Sequence, residues 1–166
     1  MAIAVDVAAD SDSAEVAEVA AVCFPLACPP TVRAEDIAEF VAENLSTERF
    51  GQYLADPRKR VLIARVDGRI IGYAMLIRAD SDGGPMELSK LYVLAEHHRS
   101  GAAAALMCRG IDWARQCRAA AIWLGVNRRN ERAQRFYRKY GFEVTGTRTF
   151  PLGSGVESDF VMERPV

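Results

Sequence analysis

The amino-acid sequence predicts an α+β fold, a three-layer α/β sandwich of helices and a central sheet. Three observations carry that expectation. Residues 60–77 read as two apolar strands joined by Asp67-Gly68, the kind of residue pair that a two-residue hairpin turn requires. From residue 87 onward the apolar spacing switches repeatedly between strand and helix periods, giving β-α-β-α-β. Ahead of the hairpin, helical spacing dominates. A chain of 166 residues suits a single domain, and with half of it apolar it can fill a core without disulfides or a structural metal.

The elements follow in order. Residues 1–9 are apolar but carry Asp6 and lack a basic leader, so residues 2–7 read as a first strand and not as part of a signal peptide. Residues 13–23 are helical, with Val16, Val19 and Ala20 on one face and Asp10 to Ser13 as candidate caps. Pro25, Pro29 and Pro30 predict an irregular connection after it. Thr31 is the candidate cap of a second helix that runs through Ile37, Phe40 and Val41 to about Asn44. A short third helix opens at Thr47 and stops at Asp56-Pro57. Strands 60–66 and 69–77 form the hairpin, residues 79–85 a polar loop, and residues 87–94 the next strand. A long helix over about 101–118 sets Leu106, Gly110, Trp113, Ala114 and Cys117 on one face. Residues 121–126 form an apolar strand. The helix over 130–140 aligns Ala133, Phe136, Tyr137 and Tyr140, and Gly141 closes it. Strands 142–149 and 157–163 finish the chain.

Composition excludes several classes. The 21 Lys and Arg against 22 Asp and Glu argue against a partner bound by bulk charge, so no nucleic acid is expected. No apolar run reaches the roughly 18 residues of a membrane span, so no membrane partner is expected either. Cys23, Cys28, Cys108 and Cys117 form no C-x-x-C pair and lack histidines at ligand spacing. They read as reduced thiols of a cytoplasmic protein, with no metal.

The segment His98, Arg99, Ser100, Gly101, Ala102, Ala103, Ala104 joins a strand to a helix. The first amides of a helix have no internal partner, and the helix dipole adds partial positive charge there. Small residues let such a backbone approach a phosphate closely. Taken alone, the segment reads first as a helix start with small residues packed against a strand, and only second as a phosphate loop.

Residues 91–106 resemble the cofactor motif of the GNAT N-acetyltransferases, Gln/Arg-x-x-Gly-x-Gly/Ala after a strand, with His98, Gly101 and Ala103 at the matching positions. Residues 130–142 resemble the second motif of that family, Asn-x-x-Ala-x-x-x-Tyr-x-x-x-Gly-Phe, through Asn130, Ala133, Tyr137, Gly141 and Phe142. The resemblance spans residues 61–166, and the two motifs together are specific where either alone is not. It implies a GNAT fold, with a mixed, mostly antiparallel central sheet and helices on both faces. It also implies an acetyl-CoA-dependent transfer to a primary amine by direct attack in a ternary complex. There are two departures. His98 stands in place of Gln or Arg, and Arg99 stands where glycine is common. Backbone binding tolerates both, whereas a positive φ at Arg99 would weaken the cofactor loop.

The resemblance assigns the roles. Tyr137 is the general acid for the departing thiolate, although its helical spacing alone reads as core. Glu87, which opens the strand leading to the loop, is the candidate base and equally an ordinary strand-end carboxylate. Gly125 stands where some relatives carry a glutamate base. Leu91, Tyr92 and Val93 are implied contacts of the pantetheine arm. Residues 98–104 hold the pyrophosphate, and Asn130 contacts the cofactor while also suiting a helix N-cap. His97 and His98 read as surface histidines. Arg128, Arg132, Arg135 and Lys139 read as a solvated stripe, one member of which could reach the 3′-phosphate. Trp113 and Trp123 read as core.

The closer resemblance is to PaiA-type polyamine acetyltransferases, through residues 122–126, 130–142, Thr145-Gly146, Phe150, Gly153 and, upstream, residues 45–50. It implies spermidine or spermine as the amine. Glu35, Asp36, Glu39 and Glu43 would then give an acidic acceptor cleft. A protein N-terminus, a lysine, an antibiotic amine and a catalytically weak CoA-binding regulatory module remain as alternatives, and a homodimer is one possible assembly.

Overall fold

A computed structural model of the chain describes residues 2–166, so Met1 of the N-terminal apolar stretch lies outside the described residues. The strands are β1 (Ala4–Val7), β2 (Lys59–Val66), β3 (Arg69–Ile77), β4 (Met86–Val93), β5 (Ala121–Asn127), β6 (Glu143–Leu152) and β7 (Gly155–Pro165). The helices are α1 (Ser13–Ala27), α2 (Ala34–Asn44), α3 (Thr47–Ala55), α4 (Ala102–Gln116) and α5 (Glu131–Lys139). The strands form one seven-stranded sheet in the order β1-β2-β3-β4-β5-β7-β6. Among the described residues only β4 and β5 pair in parallel; every other pairing is antiparallel.

Period-two alternation puts an apolar set on each face of the sheet. On one face Leu62, Ala64, Leu76, Ile122, Leu124 and Met162 pack against Leu106, Ile111 and Ala114 of α4, with Ala133, Phe136 and Tyr137 of α5 alongside. On the other face Val61, Ile63, Tyr73 and Met75 pack against Val16 and Ala20 of α1 and Phe50 and Tyr53 of α3. The helices therefore lie on both faces, as in the GNAT fold. The hairpin turn is as its residues require: Asp67 has φ 50° and Gly68 φ 79°, the two left-handed residues of the turn that matches strand twist.

Three element ends differ from expectation. α1 continues past Cys23 to Ala27 with Pro25 inside it. A proline near a helix end removes one hydrogen bond only, and Cys28 N–H still closes the turn on Pro25 C=O at 3.3 Å. Thr31 does not cap α2. It sits in the turn closed by Val32 N–H on Pro29 C=O at 3.1 Å, and Arg33 takes the cap position without a side-chain capping bond. The last hairpin is longer than residues 142–149 and 157–163. Pro151 pairs with Val156 near its tip, which is tolerated because β6 is the sheet edge and a proline there forfeits no interior bond.

One irregularity positions everything that follows. The β3–β4 register shifts so that Met75 faces Lys90 and Leu76 faces Leu88, leaving Ser89 as an extra residue in β4. β4 and β5 are in register only at Met86↔Ile122 and Glu87↔Trp123. Beyond that point the two strands diverge, and the sheet opens.

Candidate active site

The gap between β4 and β5 is the centre of a cleft of about 580 Å³ that reaches both faces of the sheet. On the α4–α5 side it is lined by Val93, His98, Ala103, Asn130, Ala133 and Tyr137. On the α1–α2 side it is lined by Glu87, Lys90, Tyr92, Phe40, Arg148 and Asp159.

The exposed edge of β4 supplies free backbone groups. Leu94 N–H donates to Ile71 C=O at 2.8 Å, so Leu94 and Ile71 form a hydrogen-bonded pair. Antiparallel ladders alternate, which turns the N–H and C=O of Val93 and of Leu91 away from β3 and toward the gap. The Val93 carbonyl accepts a 2.9 Å bond from His98 Nε2, so the His98 ring folds back onto the strand. The sequence reading had placed this ring on the surface; it is an exposed residue, but its nitrogen is tied to the cleft.

The loop after β4 ends in two left-handed residues, Arg99 at φ 67° and Gly101 at φ 90°, the latter capping α4. Ala102 N–H is taken by Ser100 Oγ at 3.3 Å, and Ala105 N–H by Gly101 C=O at 3.0 Å. The N–H groups of Arg99, Gly101, Ala103 and Ala104 have no partner among the described residues. A helix start with several free amides, small side chains and a positive dipole end is an anion site. The residues present thus fit a pyrophosphate. Arg99 adopts the positive φ flagged in its sequence, so an L-residue holds a conformation that glycine takes without strain.

α5 begins with Asn130, whose side chain accepts from Ala133 N–H at 3.1 Å. Buried Gln134 donates to Asn127 C=O at 3.2 Å and to Arg128 C=O at 3.0 Å, fixing the turn from β5. Tyr137 stacks edge-on against Phe136 and Phe142 at 5.6 and 5.8 Å. Burial pushes its phenol up to about 12, so it stays protonated near neutral pH. Across the cleft, Glu87 is half-buried beside Lys90. Burial holds the Lys90 ammonium below the usual lysine range, and the Glu87 charge opposes that.

The structure therefore brings together Glu87, Leu91, Tyr92, Val93, His98, Ala103, Asn130 and Tyr137 around one cleft. Arg99, Ser100, Gly101, Ala102 and Ala104 lie at its α4 end without lining it. Arg132 lines the cleft, while Arg128, Arg135 and Lys139 face solvent. Trp123 corrects the sequence reading. It is half-buried and outside both apolar clusters, because its β5 face looks to the α1–α2 side, where Arg148 lies 5.6 Å from its ring centroid. Arg148, Glu157 and Asp159 were missed altogether, since only the strand order β5-β7-β6 brings them to the cleft.

The sequence profile of the Acetyltransferase (GNAT) family matches residues 21–142. The chain belongs to this GNAT family. Uncharacterized N-acetyltransferases of Mycobacterium tuberculosis and Mycobacterium bovis are each 57% identical to it over 154 residues, covering 93% of this chain and 97% of theirs. Among solved structures, the PaiA N-acetyltransferase of Thermoplasma acidophilum in complex with coenzyme A superposes with a TM-score of 0.86 over the full length of both chains at 23% identity. That likeness is one of fold. Family and relatives together make the chain a GNAT N-acetyltransferase. Among its described residues no helix is long and apolar enough to cross a membrane, and no three metal-ligating side chains cluster.

Proposed function

We propose that this GNAT chain transfers the acetyl group of acetyl-CoA to a primary amine within one ternary complex. The observation that carries the proposal is the opened sheet. The free edge of Leu91 and Val93 runs straight to the free amides at the start of α4, a track for a pantetheine arm ending in a pyrophosphate. On this reading the Val93 N–H faces the thioester oxygen and stabilises the charge that develops on it. Tyr92, His98, Ser100 and Asn130 flank the track. Glu87, directly or through water, takes a proton from the amine. The amine nitrogen bonds to the acetyl carbon as the carbon–sulfur bond breaks, and the Tyr137 phenol gives its proton to the sulfur.

A polyamine is the acceptor we favour, on the placement of the carboxylates. Glu87, Glu157 and Asp159 line the cleft, alongside Lys90, Arg132 and Arg148. Beside it, a second groove of about 300 Å³ is walled by Asp36, Glu39 and Glu43 and shares Phe40 with it. Glu35, also expected there, is engaged by Arg33 at the helix start.

The test is release of free thiol from acetyl-CoA over a panel of spermidine, aminoglycosides, amino acids and peptides. Turnover with spermidine is the expected result. Tight acetyl-CoA binding with no turnover on the whole panel would leave a CoA-binding module and remove the enzyme reading. Tyr137→Phe is expected to lower kcat by roughly a hundredfold with little change in acetyl-CoA affinity; unchanged turnover takes Tyr137 out of the acid role.

A further inference from the structure

Arg148 occupies an unusual place. It belongs to the edge strand β6, yet its side chain crosses β7 and lies on β5, two strands away. There its guanidinium covers Gly125, where any Cβ would overlap it. Its Cζ stands 5.6 Å from the centroid of the Trp123 ring, and its Nε donates to Asp159 Oδ2 at 3.3 Å. An aromatic face, a carboxylate and a missing side chain together form a nest for a cation.

The nest is better built than the bond that holds Arg148 in it. Asp159 is only 6% exposed, and Glu157 lies close enough to act on its charge. Glu157 is itself held by Asn127, whose Nδ2 donates to Glu157 Oε1 at 3.3 Å, so Arg148 is the cation that Asp159 has. The Arg148 contact is single and long, outside the 2.7–2.9 Å usual for charged pairs, and its terminal nitrogens have no protein partner among the described residues. Its side chain is 35% exposed, so a path to solvent exists. Leaving the nest empty would strand the Asp159 carboxylate without a counter-ion, which is unfavourable in a buried site. Exchanging one cation for another avoids this.

We propose that Arg148 is a tethered stand-in for the substrate, filling a cation subsite of Trp123, Gly125 and Asp159 until the far ammonium of a di- or polyamine displaces it. The proposal rests on the polyamine reading above and adds its second point of recognition. The reacting amine sits by Glu87, and the non-reacting one replaces the guanidinium over Gly125. Arg148 swings toward solvent on the open side of β6.

The test is Arg148→Ala, assayed with spermidine and with hexylamine, a monoamine lacking the second charge. Removing the competing guanidinium is expected to lower KM for spermidine roughly three- to tenfold, the size of a half-exposed ion pair plus a stacked cation. The KM for hexylamine is expected to shift by less than about twofold. A raised spermidine KM would show that Arg148 supports the acceptor site instead of competing for it, and overturns the proposal. Equal shifts for the two amines overturn it as well. A second arm needs no turnover and separates this idea from the polyamine reading. Propylguanidinium, the excised head of the side chain, is titrated into each protein while tryptophan fluorescence is followed. Binding to Arg148→Ala but neither to the unmodified chain nor to Arg148→Ala/Asp159→Asn establishes the subsite even where spermidine is not acetylated. No binding to Arg148→Ala refutes it.

Discussion

Arg99 holds a left-handed backbone, φ 67°, at the turn into α4. For a residue with a Cβ that conformation costs about 1–2 kcal/mol, whereas glycine adopts it freely. Glycine also loosens the unfolded chain, which offsets about 0.4–1 kcal/mol of the gain. Arg99→Gly should therefore stabilise the protein by about 0.5–1 kcal/mol, a Tm rise of about 1–4 °C for a chain of this size. Acetyl-CoA affinity measured by calorimetry should hold or improve, because the loop amides keep their arrangement. A fall in Tm would mean that the Arg99 side chain contributes more than its backbone costs. A large loss of affinity would mean that the guanidinium itself holds the cofactor. The sequence exposed this position as a departure from the motif, but only coordinates show that the loop keeps its glycine-like path regardless.

At the scale of elements, the cleft depends on how closely β3 supports β4. Gly72 lies opposite Val93. A Cβ at Gly72 would stand 2.8 Å from the Tyr92 carbonyl oxygen and 3.0 Å from a Val93 methyl carbon. The oxygen is backbone and cannot swing away, so Gly72→Ala must push β4 outward at its cofactor-facing end. The expected cost is about 1–3 kcal/mol of stability, the usual penalty of overpacking. Weaker acetyl-CoA binding should accompany it, since Val93 moves with the strand. A stable variant with unchanged affinity would show that β4 does not need this approach. The elements themselves were largely legible. Asp67-Gly68 announced its hairpin, and Asn130 and Gly141 bracketed α5, because each works through local backbone geometry. α1 was less so, since Pro25 reads as a stop although it forfeits a single bond near the helix end. The Arg148 nest was not legible at all. Residues 123, 125, 148 and 159 meet only through the pairing of β5 with β7 and β7 with β6, which no local period encodes.

Across the molecule, the groups lining the cleft share an electrostatic bias. Burial pushes the Cys23 thiol and the Cys28 thiol up to about 11, with the charges of Glu96 and Glu157 adding to the effect. Burial pushes Tyr137 up to about 12 and raises Tyr92; it also raises Tyr73, a fully buried neighbour outside the lining whose ring lies 5.8 Å from that of Tyr92. In each case the folded protein favours the protonated form relative to the unfolded chain. That stability is complete below the ordinary values, near 9 for the thiols and 10 for the phenols, and is lost as pH climbs through the folded ones. The denaturant midpoint should consequently be level in this respect from pH 7 to 9 and fall steadily from 9 toward 12. Cys23→Ala should start lower at pH 7, having opened a cavity, yet fall less steeply between pH 9 and 11. A midpoint level to pH 11, or a slope untouched by the substitution, would show that these groups open to water more readily than their burial indicates. The same bias bears on turnover. With burial pushing the Tyr137 phenol up to about 12, an alkaline decline in kcat that sets in before pH 9 is expected to come from another group. Tyr137→Phe should then lower the whole pH profile without moving such a limb, and a limb that vanishes in the variant would assign the titration to Tyr137 after all.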